Sequence, residues 1–122
     1  MRLFWIKCQG DAWCPFMTVN LDYAHFQGLE GVFVIWHGGP APKTVYVGKG
    51  FIAERVRELR SQSMITQYLA SGLPLLVIWA KVSPTDQAGV ESYLVSALKP
   101  LENRVHPSTT PVPVNLPWEK AQ

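Results

Sequence analysis

Two β-rich runs separated only by a turn constrain this chain more than any other feature. Gly31-Val32-Phe33-Val34-Ile35-Trp36-His37 is a dense β-branched and aromatic run bounded by glycines, the pattern of a mostly buried central strand. The loop Gly38-Gly39-Pro40-Ala41-Pro42-Lys43 follows it, and Thr44 to Val47 is β-rich again. A connection this short favours antiparallel pairing, because a parallel return needs a crossover of a dozen residues or more. A hairpin at the centre of a small sheet is the expectation.

The next stretch, V-Y-V-G-K-G-F-I-A-E-R from Val45 to Arg55, reads as strand, glycine turn and helix start. Beyond Gly50 the apolar period changes from two to about 3.6, with Ile52, Val56 and Leu59 on one stripe and Glu54, Arg57 and Glu58 off it. This predicts an amphipathic helix ending near Ser61. A shorter helix is expected from Ser63 to about Ser71, closed by Gly72 and Pro74. Leu75 to Val82 fits a third strand. Ser83-Pro84-Thr85-Asp86 is a helix start, with Ser83 as N-cap, Pro84 first in the helix and Asp86 placed to complete a capping box. Val90, Leu94, Ala97, Leu98 and Leu101 share one stripe, and Pro100 ends the helix.

The predicted fold is α+β: a small central three-stranded, mainly antiparallel sheet flanked by helices. An N-terminal extension over 1–30 would pack on the domain proper at 31–106, and an extended, proline-rich tail would follow over 107–122. The first 30 residues carry many aromatics without a period, and only a strand near Leu3 to Lys7 is expected there.

At 122 residues and 48% hydrophobic content the chain suits a single domain with one unstapled core. A net charge of +2 does not by itself announce nucleic-acid binding, so any basic surface has to be local. Cys8 and Cys14 are separated by five intervening residues, a spacing that fits neither a zinc knuckle nor a multi-bridge framework. They read as free thiols, with a structural disulfide or a metal as the alternative. No apolar run approaches the roughly 20 residues of a membrane helix, and the N-terminus lacks a signal-peptide core. A cytoplasmic setting without membrane contact is the expectation.

Gly48-Lys49-Gly50-Phe51-Ile52-Ala53 matches the glycine pattern that seats a dinucleotide pyrophosphate. That site also needs an acidic residue about 20 positions on to hold the ribose. Between Glu58 and Asp86 there is none, so no dinucleotide is expected.

With its flanks, the same stretch resembles the signature of the GIY-YIG nuclease family. Gly31-Val32-Phe33 and Tyr46-Val47-Gly48 stand where that family has its two hairpin strands, Arg55 where it has a helical arginine, and Glu91-Ser92-Tyr93-Leu94 where a later helix carries a glutamate. Pro100-Leu101-Glu102-Asn103 is similar to the ending of the UvrC-type nuclease module.

The resemblance implies a divalent-metal-dependent endonuclease that hydrolyses DNA phosphodiester bonds, with one Mg²⁺ or Mn²⁺ held by Glu91. Arg55 would donate to the scissile phosphate, Tyr46 would position or deprotonate the attacking water, and Asn103 would steady the site. Lys49, Arg57 and Arg60 would contact flanking phosphates, which carry affinity and not sequence. The family's first tyrosine is Phe33 here, which keeps the ring and loses the hydroxyl, and Leu59 stands where a histidine or tyrosine is common. The alternative is therefore a catalytically inactive module of the same fold that binds nucleic acid or a protein; a targeting partner is also implied if it cuts. His37 reads as an exposed strand-end residue, and Asn115 competes with Asn103 for the asparagine role.

Overall fold

The computed structural model describes residues 1–103 and 108–118. Strands β1 (Cys14–Pro15), β2 (Glu30–His37), β3 (Lys43–Phe51) and β4 (Leu75–Lys81) form one antiparallel sheet in the order β1-β4-β2-β3. Helices α1 (Ile52–Leu59), α2 (Ser63–Ala70) and α3 (Pro84–Leu98) complete an α+β fold. The sheet thus has four strands where three were expected. The extra one is a two-residue pairing of Cys14 with Val77 and Pro15 with Leu76. The strand expected near Leu3 to Lys7 reduces to a single bridge between Ile6 and Trp79.

β3 and β4 pair with the two edges of β2, helices and flanking segments cover its two faces, and Val32 through Ile35 are fully buried. On one face Phe33 and Ile35 pack with Ile52, Val56 and Leu59 of α1, Ile65 of α2, and Phe16, Leu21 and Phe26 from the N-terminal segment. On the other, Val32, Val34 and Trp36 pack with Val90, Leu94 and Val95 of α3, and with Leu3 and Val114 from near the two chain ends. Residues from the first 30 therefore contribute to both cores.

Three local expectations change. The glycine turn is strand: β3 runs on to Phe51, with Gly48 opposite Phe33 and Gly50 opposite Gly31, and α1 begins at the next residue. A Cβ on Gly48 would clash with the Phe33 ring, and Gly50 sits at φ 112°, so each glycine meets a different demand. At the start of α3, Pro84 is at the first turn as expected, but the Ser83 hydroxyl bonds to the Asp86 carboxylate at 3.0 Å instead of capping a backbone N–H. His37 is a buried member of β2, stacked on Tyr68 with ring centroids 5.5 Å apart, and not an exposed loop residue.

Cys8 and Cys14 are joined as a disulfide, with Cα atoms 5.2 Å apart, so the free-thiol expectation is wrong. Chain reversal through a short 3-10 turn at Gln9–Asp11 and a bridge between Cys8 and Ala12 bring the sulfurs together. Free thiols therefore lend no support to the cytoplasmic expectation. Among the described residues no helix is long and apolar enough to cross a membrane.

Candidate functional site

The hairpin sets Tyr46 by a bulge. Ile35 lies opposite Tyr46 while Trp36 lies opposite Thr44, so Val45 is an extra residue on β3. Strict alternation would send Val45 and Tyr46 to opposite faces; instead Val45 is buried in the core beneath α1 and Tyr46 packs against that same core. Its ring lies 6.3 Å from that of Phe33 at a 34° tilt. Beyond the bulge alternation resumes, Val47 joins the core under α3, and Lys49 follows on that face.

Arg55 sits in the first turn of α1, directly after the strand, and its Nη2 donates to the Tyr46 hydroxyl at 3.3 Å. Its Nη1 donates to Glu58 Oε2 at 2.8 Å. The side chains of that ion pair are 34% and 63% exposed, so the pair is weak and its guanidinium can be recruited by a stronger anion.

Glu91 stands midway along α3, a half-buried carboxylate with no hydrogen bond or ion pair to any described residue. Burial pushes its pKa above the ordinary carboxylate value, while the charges of Lys49 and Arg55 pull it back down. Two cations from β3 and α1 thus act on one carboxylate from α3.

Asn103 is delivered by the end of α3. Lys99 takes a left-handed conformation at φ 49° and its N–H donates to the Val95 carbonyl, after which Pro100 forbids further helix. The chain turns onto the free edge of β3, where Leu101 N–H donates to Thr44 O and Glu102 N–H to Val45 O. Asn103 Oδ1 then accepts from Val47 N–H at 2.8 Å and its Nδ2 donates to Val47 O at 2.9 Å. The amide makes both bonds that a neighbouring strand would make, one residue from Tyr46.

The structure hydrogen-bonds Arg55 to Tyr46 and sets Arg55 and Lys49 near enough to Glu91 for their charges to act on it, with Phe33 beside Tyr46 and Asn103 on the adjoining backbone. It does not bring Arg57 or Arg60 into the group. Arg57 pairs with Asp22 at 3.1 Å on the surface. Arg60 donates through Nε to Phe16 O and through Nη2 to Val19 O, tying α1 to the N-terminal segment, and burial followed by the charge of Arg57 lowers its pKa. Asn115 bonds both the N–H and the carbonyl of Leu3 and makes no hydrogen bond to Tyr46 or Val47. Leu59 is core.

Sequence reasoning missed the bulge at Val45 and the part played by Lys99. No motif marks a bulge, but Lys99-Pro100 at the end of an apolar stripe is a legible stop signal for α3. Among the described residues no three His, Cys, Asp or Glu side chains gather into a metal-holding group. No family model, no curated protein and no solved structure matches this chain, so the reading of the site rests on its own geometry.

Proposed function

We propose that this chain is a GIY-YIG-type, divalent-metal-dependent endonuclease acting on DNA. The observation that carries the reading is the convergence of Tyr46, Arg55 and Glu91 from three successive kinds of element, a hairpin strand, the helix after it and a later helix. The order is that of the family it resembles, and the hairpin followed by α1 and later by α3 supports the reading.

Glu91 fits a single cation. Its carboxylate has no described partner, and Mg²⁺ accepts one protein carboxylate when a substrate phosphate and water supply the remaining oxygens. A divalent ion bound there would supply neutralisation of the charge that gathers on a phosphodiester under attack. Arg55 leaves Glu58 for the phosphate and offers a planar pair of donors from the other side. Tyr46, held by the same guanidinium, orients the attacking water. Asn103 fixes the backbone that carries Tyr46 and so acts as a positioning residue. Lys49 holds an adjoining phosphate and keeps Glu91 ionised.

The second reading is a module of this fold that binds without cutting. Phe33 supports it, since a fully buried ring without a hydroxyl occupies the first-tyrosine position. Purified protein with Mg²⁺ or Mn²⁺ is offered duplex, single-stranded, nicked and branched DNA. The endonuclease reading requires cleavage that Glu91→Ala abolishes. Cleavage equal in both proteins would be a contaminant's, and salt-sensitive binding without turnover would favour the module.

A further inference from the structure

Three tryptophans meet at the start of β3. Trp36 is nearly buried, at 7% exposure, and forms the floor of a cleft of about 410 Å³. Trp13 stands against it with centroids 5.1 Å apart at 88°, and Trp118 with centroids 5.9 Å apart at 67°. These two walls are 39% and 44% exposed. Pro42, Lys43 and Thr44 complete the described lining. Large rings left this open at the mouth of a concave site are costly to hydrate and offer flat faces to a flat ligand.

The one charged residue among the described lining is a cation. Lys43 lines it, and Lys7 lies 4.3 Å over the Trp13 ring while also pairing with Asp11 at 3.3 Å. No carboxylate is among its described lining residues. Lys43, the first residue of β3, makes no ion pair with any described residue. Trp36 and Val34 share the α3 face of β2, and their partners Thr44 and Val47 share it on β3, so the floor of the cleft and Lys49 lie on one face of the sheet. Five residues of strand at about 3.3 Å each separate Thr44 from Lys49, a span of roughly 16 Å.

We infer that the cleft between Trp13 and Trp118 is a stacking subsite for a nucleobase of a single-stranded nucleic acid, with Lys43 and Lys7 beside it to meet the flanking phosphates. The inference rests on the nucleic-acid reading above and adds to it where the strand is gripped. A ring face accepts any base, so this grip is tolerant of sequence, while the lysines meet the phosphates. It selects unpaired over duplex DNA, because a stacked base cannot be inside a helix at the same time.

The test is titration of the wild-type chain with an oligodeoxyadenylate of about ten nucleotides, without divalent ions, read by tryptophan fluorescence and by anisotropy. Quenching on binding is expected. Trp13→Ala and Trp118→Ala should each weaken binding about five-fold or more, with Trp118→Phe close to wild type. The same oligomer carrying abasic sites should lose as much with the wild-type protein, which needs no variant to fold. Equal affinity for normal and abasic strands would overturn the subsite, as would a proline-rich peptide that quenches where the strand does not. Cleavage with unaltered KM in Trp118→Ala would remove the cleft and leave the nuclease. Weakened strand binding in Trp118→Ala, with no cleavage under any metal, would remove the nuclease and leave the cleft.

Discussion

Asn103 and Asn115 make the same pair of bonds in two different regions. Each amide accepts a backbone N–H and donates to the carbonyl of the same residue, Val47 in one case and Leu3 in the other. Around Leu3 the result is a closed seam: Trp5 Nε1 donates to Asn115 O, Val114 is buried beside it, and the two ends of the chain are held to one another. Around Val47 the same bonding holds a strand whose next residue back is Tyr46, bonded in turn to Arg55. The residue type is therefore neutral as to role. What separates scaffold from candidate site is whether the clamped backbone carries a group with chemistry.

The comparison breaks most visibly in activity. Asn103→Ala should lower metal-dependent cleavage by about a hundred-fold through misplacement of Tyr46, whereas Asn115→Ala should leave the rate of folded protein within about two-fold. Equal losses, measured as single-turnover rates, would make both asparagines scaffold. In stability the two should be alike: each substitution orphans a backbone N–H and a carbonyl, at a cost of about 1–3 kcal/mol by urea denaturation.

A smaller effect sharpens the approach to Asn103. Lys99 holds a left-handed conformation that glycine adopts without penalty, so Lys99→Gly should raise stability by up to about 1 kcal/mol and leave cleavage unaltered. A loss of stability would mean that the lysine side chain, and not the turn, secures the segment.

The smallest effect belongs to Glu91. Burial raises its folded pKa above the unfolded value, so between the two the folded chain binds more protons. Stability contributed by this group is then present at low pH and falls as pH rises through that window. Glu91→Gln should flatten the slope and raise the unfolding temperature at neutral pH by about 1–2 °C, a modest gain because the carboxylate is only half buried. Mg²⁺ affinity should fall as pH drops through the same window, since the ion needs the carboxylate. Unfolding scans of both proteins across that range, with and without Mg²⁺, check the sign.

Much of the architecture was legible because burial and period coincide. β2, α1, α2, β4 and α3 sit within a few residues of their expected bounds, each announced by an apolar run or stripe with a turn residue beside it. Where long-range pairing decides the local state the sequence was silent. Gly48-Lys49-Gly50 has the composition of a turn, yet partners on β2 hold it as strand, and Cys14-Pro15 becomes strand only because β4 leaves an edge open to it. The site divides the same way. Tyr46, Arg55 and Glu91 follow from element order, but Arg57 and Arg60 differ from Arg55 only in what surrounds them, and the Asp22, Phe16 and Val19 partners arrive from a segment without a readable period.

The segment that crosses the edge of β3 has a consequence outside catalysis. A nine-residue strand with an unpaired border is a template for a second chain, and the border of β3 holds Thr44, Val45 and Val47 in register for such an encounter. Leu101, Glu102 and Asn103 occupy those hydrogen bonds, while the opposite border of the sheet is only two residues long and includes Pro15. A chain without the Asn103 amide would leave Val47 unpaired on that border, a foothold for a second copy whose use would rise with concentration more than with temperature.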